Sequence, residues 1–185
     1  MTCSVEHWRA VRGYEGRYEV SSWGRVRSLT VLVPNKQALR TLPGRVLQQR
    51  KNSGGYWTVG LCVALKRKTV TVSSLMGAAF LQVKLGWKTD HKNRDRGDNK
   101  LSNLRPATNS QNGANAIGRS GTSAYKGVSW FRLRSKWRVV ICVNGRQRHV
   151  GYFDNEVAAA KAYDTAALRY FGAYAKCNFE EEILA

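Results

Sequence analysis

Lys88-Thr89-Asp90-His91-Lys92-Asn93-Arg94-Asp95-Arg96-Gly97-Asp98-Asn99-Lys100-Leu101-Ser102-Asn103-Leu104-Arg105-Pro106-Ala107-Thr108-Asn109-Ser110-Gln111-Asn112 reads as four successive elements. Lys88–His91 predicts a short strand, and the Asn-, Asp- and Gly-rich run Lys92–Ser102 predicts a polar loop. A brief return strand is expected near Leu104–Ala107. Thr108 followed by Gln111 is a capping-box pattern, so a helix should open there with Asn112 in its first turn.

The residue types in this hairpin and helix suit one chemistry. A hard divalent cation takes oxygen ligands, which Asp90 and the Asn112 side-chain carbonyl can supply, leaving positions for water and a phosphate. His91 can act as general base toward that water. Asn103 can accept from the other ring nitrogen and so fix tautomer and direction. Neighbours on a strand project to opposite faces, so Asp90 and His91 need a strand-end twist to serve one site. The residues by themselves leave a second reading open, because an Asp-His pair in a polar loop is also an ordinary surface feature. Asp95, Asp98 and Asn99 are read as turn-formers or a cap rather than as ligands.

The charge of the whole chain points the same way. Across 185 residues, 31 Lys and Arg face 12 Asp and Glu, a formal net charge of +19 that calls for a polyanionic partner. From Val20 to Thr89, and again from Asn99 to Phe153, there is no acidic residue; Asp90, Asp95 and Asp98 form an island between these stretches. Phosphates demand cations and a metal demands carboxylates. With 43% apolar residues a packed core is within reach, and disorder is excluded. Cys3, Cys62, Cys142 and Cys177 contain no C-x-x-C pair, which argues against a zinc knuckle or a disulfide framework. No apolar run is long enough for a membrane span and no leader is evident, so a soluble, unexported, cytoplasmic protein without membrane contact is expected.

Working outward, residues 1–84 read as a β-rich region. Strands are expected at Tyr18–Val20, Arg25–Leu29, Val46–Gln49, Tyr56–Leu61 and Thr69–Val72, with a short helix at Leu75–Phe80. Val31–Leu42, with Pro34 and Pro43 beside it, reads as loop. Residues 85–117 form the hairpin–helix module and 118–124 a Gly/Ser/Thr linker. In 125–185, strands are expected at Lys126–Phe131, Lys136–Val143 and Gln147–Tyr152, with Asn144-Gly145 as the hairpin turn. A helix follows from about Asn155 to Phe171, stopped by Gly172. One face of the middle strand (Trp137, Val139, Ile141, Val143) should pack on Val157, Ala160, Ala167 and Tyr170, leaving the other face free.

Asp90–Arg105 with Ala107–Asn115, including its D-N-x-L-x-N-L run, resembles the HNH nuclease motif in the version found in phage homing endonucleases, whose third motif residue is Asn. The resemblance implies a ββα-metal fold with His91 as general base, Asn103 as its orienting residue, and Asp90 and Asn112 as ligands of Mg2+ or Mn2+. Trp8–Leu29 resembles the NUMOD-type motif that often precedes such nucleases. Residues 125–179, with Tyr125-Lys126-Gly127-Val128, Trp137, Asn144-Gly145, Gly151-Tyr152-Phe153 and Asn178-Phe179, resemble the APETALA/ethylene-response-factor DNA-binding domain. Two departures stand out. Val72-Ser73-Ser74-Leu75 replaces the usual V-H-R-L, and the open-face positions Ser129, Phe131, Val140, Cys142, Gln147 and His149 do not carry the plant base readers.

The expected fold is therefore α+β: a small N-terminal antiparallel β region, a central ββα-metal module, and a C-terminal three-stranded sheet plus helix. The expected function is a metal-dependent, site-preferring DNA endonuclease. It should nick one strand as a monomer, with double-stranded DNA as partner and no obligatory protein partner. Arg25, Arg27, Arg132, Arg134, Lys136, Arg138, Arg146 and Arg148 are the expected DNA contacts. The rival readings are a non-catalytic DNA-binding regulator and, less well supported for want of an RRM-type aromatic motif, an RNA-binding protein.

Overall fold

The computed structural model describes residues 5–35, 38–63, 66–118 and 121–179. Its contacts divide the chain into two compact units, Met1–Pro106 and Ala107–Ala185. The division falls ahead of the capped helix rather than at the linker 118–124. The helix carrying Asn112 thus groups with the C-terminal unit.

The first unit opens with β1 (Trp8–Ala10), β2 (Tyr18–Ser21) and β3 (Val26–Ser28), an antiparallel meander in register at Trp8↔Ser21 and Tyr18↔Ser28. The expected loop at Val31–Leu42 is instead a hairpin of β4 (Val31–Asn35) and β5 (Ala38–Leu42). Pro34 misleads because a two-stranded hairpin has no interior: a proline on such an edge can leave its missing N–H facing solvent. The strand expected at Val46–Gln49 is a single bridge, Arg27↔Val46; pairing resumes at β6 (Arg50–Lys51).

A second three-stranded sheet joins β6 to β7 (Trp57–Val63) and β8 (Lys66–Thr71). α1 (Val72–Phe80) follows directly, and β9 (Lys88–His91) pairs with β10 (Leu104–Ala107). The core of this unit is Val11, Val20, Val26, Val59, Leu61, Val72 and Met76, all 2% exposed or less. α1 brings the strand bearing Asp90 and His91 against this core. A Cβ on Gly77 would lie 2.0 Å from Thr89 Oγ1, so only glycine lets helix and strand approach this closely.

The second unit begins with α2 (Asn109–Asn115), whose capping box forms in full. Gln111 N donates to Thr108 Oγ1 at 3.2 Å, and Thr108 N donates to Gln111 Oε1 at 2.9 Å. β11 (Val128–Phe131), β12 (Lys136–Val143) and β13 (Arg146–Phe153) make an antiparallel sheet against α3 (Glu156–Phe171). β11 starts later than expected because Gly127 has φ +76°, which breaks the extended run. Asn155 caps α3 by accepting from Ala158 N at 3.0 Å, and Gly172 ends it at φ 50°. Val139 and Ile141 face α3 as expected, but the helix meets them with Ala159, Ala160, Tyr163, Ala167 and Phe171. Val157 and Tyr170 are about two-fifths exposed, at 41% and 42%. Ala160 and Ala167 lie in the packed stripe as expected, and the little hydropathic contrast between the faces of an Ala-rich helix is why Val157 and Tyr170 fall outside it. α2 joins the same core through Ala114, whose carbonyl accepts from Lys176 N at 3.1 Å.

Candidate functional site

β9 delivers Asp90 and His91 side by side, 4% and 5% exposed. The Asp90 carboxylate accepts from Arg105 Nε on the paired strand β10 at 2.9 Å, so the acid and its cation are fixed by strand register. His91 Nε2 lies 3.2 Å from Asn99 Oδ1, a buried contact within the loop. The Tyr56 ring stands beside the imidazole, centroids 6.0 Å apart.

Asn103 is placed differently from the sequence expectation. Its side-chain hydrogen bonds go to the loop: Oδ1 accepts from Asn93 N at 3.0 Å, and Nδ2 donates to Asn93 Oδ1 at 2.9 Å and to Asp98 O at 2.8 Å. It ties the two ends of the polar loop together, while the amide oxygen that meets His91 comes from Asn99. Asp95 and Asp98 are turn-formers, as read: Gly97 N donates to Asp95 Oδ1 at 2.8 Å and Lys100 N to Asp98 Oδ1 at 3.3 Å. Arg94 at φ 66° completes the tight turn after His91.

The residues expected to meet DNA divide into four groups. Arg25 pairs with Glu6 and lies near Trp8 and Trp23, at 5.6 and 5.8 Å from the ring centroids. Arg27 donates to Glu19 at 2.8 Å and stacks on Trp8 at 4.2 Å. Both guanidinium groups are thus committed within the meander, and the Arg25 contact holds the Glu6 carboxyl below its ordinary range. Arg146 and Arg148, opposite Val143 and Ile141 in the register, share the helix side of the sheet, and Arg148 lies 5.6 Å from the Tyr170 ring. Arg132 and Arg134 are exposed in the turn after β11, and Lys136 pairs with Asp154 at 3.1 Å.

Arg138 sits on the open face, stacked 5.3 Å from Phe131, with its Nε unmatched by any hydrogen-bond acceptor. The register puts Ser129, Val140, Cys142, Gln147 and His149 on that same face. A bulge after Val139 brings Tyr152 there too, its ring 4.5 Å from that of His149.

An open groove of about 730 Å³ in the first unit was not legible in the sequence. Arg45, Arg50 and Arg67 line it, with Tyr18, Thr58 and Thr69. Gly60 makes the seat for Arg67: a Cβ there would fall 2.3 Å from the guanidinium Nε. The only sequence signal was the absence of acids from Val20 to Thr89.

Two family models match the chain: the NUMOD4 motif over residues 6–62 and the HNH endonuclease over residues 83–114. The second match spans the hairpin, the loop and the capped helix that hold Asp90, His91, Asn103 and Asn112. The chain carries an HNH endonuclease module and is a DNA-hydrolysing nuclease.

Its relatives agree. DNA endonuclease I-HmuI of Bacillus phage SP01 is 27% identical over 135 residues, 72% of this chain and 71% of that protein. The solved structure described as DNA binding and cleavage by the HNH homing endonuclease I-HmuI superposes with a TM-score of 0.51 at 26% identity, covering 77% of this chain and 76% of that one. APETALA2-like protein 2 of Oryza sativa subsp. indica is 43% identical over 61 residues, 33% of this chain. AP2-like ethylene-responsive transcription factor TOE2 of Arabidopsis thaliana is equally similar over the same length. The matched stretch spans only 14% and 13% of these plant proteins.

HNH endonucleases depend on a divalent cation. The buried Asp90 carboxylate offers oxygen of the kind a hard ion takes; among the described residues no group of three or more His, Cys, Asp or Glu comes together. Among the described residues, no helix is long and apolar enough to cross a membrane.

Proposed function

We propose that this HNH endonuclease acts on double-stranded DNA as a homing-type, site-preferring enzyme, nicking one strand per binding event as a monomer. The observation that carries the reading is the buried Asp90–His91 pair at the end of β9, with the carboxylate held by Arg105 and the imidazole by Asn99. In this reading His91 is the general base and takes the proton from the attacking water. The water oxygen bonds to phosphorus as the P–O3′ bond breaks, leaving a 5′-phosphate and a 3′-oxygen that is protonated from solvent. Asp90 and Asn112 would hold Mg2+ or Mn2+, which supplies charge neutralisation at the phosphate and at the departing oxygen. Asn103 keeps the loop between His91 and β10 in shape.

The open face of β11–β13 is the proposed reader of base edges, with Arg138 as its polar centre and Arg132 and Arg134 beside it for phosphates. The groove of Arg45, Arg50 and Arg67 is a second phosphate-binding surface. One HNH module per chain supports single-strand cleavage. The regulator reading finds no support in the HNH match or in the endonuclease relative.

A duplex carrying its target, labelled on each strand in turn and resolved on a denaturing gel with Mg2+, tests the proposal. Product from one strand only is expected in the first turnover. Equal cleavage of both strands would overturn the monomeric nicking reading.

A further inference from the structure

We infer that Asn99 is a positioning residue for His91, and that the β2–β3 turn of the N-terminal segment is the part that holds Asn99 in place. The inference rests on His91 acting as the base, and it assigns to the NUMOD4 region a role in assembling the catalytic geometry.

Asn99 is 6% exposed, and its Oδ1 lies 3.2 Å from His91 Nε2. A side-chain carbonyl only accepts, so this contact places the ring proton on Nε2. Nδ1 is then the nitrogen with the lone pair, and a single tautomer and ring orientation are selected. The loop alone does not fix Asn99. Gly24 lies directly against it: a Cβ on Gly24 would fall 2.6 Å from Asn99 Cβ and 3.0 Å from its carbonyl oxygen. Gly24 also has φ +80°, so both its contact and its conformation demand glycine.

The surrounding bonds lock the two segments together. Leu101 N donates to Ser22 O at 2.8 Å, two residues beyond Asn99. Gln49 Nε2 donates to Gly24 O at 2.8 Å. Ser21, fully buried, braces the turn by accepting from Trp23 N at 3.3 Å and Arg25 N at 3.0 Å. The turn is therefore a rigid stop behind Asn99, and Asn99 is a rigid stop behind His91.

The test is steady-state nicking of target DNA by the full chain. Wild type, Asn99→Ala, Asn99→Asp and Gly24→Ala are compared, each with thermal melting and DNA affinity measured alongside. Asn99→Ala should lower kcat about 10–100-fold, the range seen when an outer partner of a site residue is removed, with KM for DNA little changed. Asn99→Asp, which keeps an acceptor oxygen, should recover most of that loss. Gly24→Ala should lower kcat in the same manner, and in the Asn99→Ala background it should add nothing further.

A purely structural role would raise KM or lower affinity and Tm together, with Asp no better than Ala. That pattern, or an Asn99→Ala variant with wild-type kcat, overturns the inference. Failure of the wild type itself to cut would overturn the general-base reading beneath it.

Discussion

Arg105 Nε donates to Asp90 Oδ2 at 2.9 Å across the β9–β10 pair, both side chains nearly buried at 14% and 6% exposure. The acid proposed to bind the metal therefore has a cation partner supplied by the neighbouring strand. This arrangement separates its structural role from its catalytic one. Asp90→Asn should abolish Mg2+-dependent cleavage, and it should also cost stability, because Arg105 loses its carboxylate. Arg105→Gln should cost about 3 kcal/mol, the range for breaking a buried pair, while leaving metal-dependent cleavage detectable. Urea denaturation and cleavage rates on both variants check this. Normal cleavage by Asp90→Asn at limiting Mg2+ would show that the ligand lies elsewhere.

Asn103 makes a separate prediction because its three bonds all close the loop. Asn103→Ala removes the partner of Asn93 N and Asp98 O in a part-exposed loop, at about 1 kcal/mol for each hydrogen bond lost. The loop 92–102 should then become sensitive to limited proteolysis, and cleavage should fall with it. Asn103→Ala with a protected loop and unchanged activity would deny it the bracing role.

The Tyr163 phenol gives a pH dependence. Burial pushes its pKa up to about 12, helped by the negative charge of Asp164 and by Cys177. An unfolded tyrosine ionises near about 10. Below that value the group is neutral in both states and its contribution is fully present. Between about 10 and 12 the unfolded chain releases the proton while the folded chain retains it, so stability falls as pH rises. Tyr163→Phe should remove this part of the alkaline loss. Urea midpoints at about pH 9 and about pH 11 for both proteins would measure it, and equal slopes would refute it.

What the sequence disclosed and what it withheld follow from the range of the interactions involved. The hairpin, loop and capped helix around Asp90, His91 and Asn112 were legible because turn residues and the Thr108/Gln111 box act within a few positions. The Asn144-Gly145 turn and the alternation on β12 were legible for the same reason. The β4–β5 hairpin was hidden by Pro34, and part of the buried stripe of α3 by its alanines. Asn99 looked like a turn residue, since the glycine that presses it toward His91 arrives from a turn far upstream. Arg25 and Arg27 looked like free phosphate binders because Glu6 and Glu19 reach them only through the β1–β3 register. Both side chains stay part-exposed, at 51% and 39%.

The most direct test of the account is a supercoiled-plasmid assay carrying a target duplex, with and without Mg2+, comparing wild type with His91→Ala. The account predicts Mg2+-dependent conversion to open circle by the wild type. It also predicts that His91→Ala binds the same DNA with nearly unchanged affinity and does not cut it. Salt-sensitive binding with no metal-dependent cleavage by the wild type, or full cleavage by His91→Ala, would contradict it.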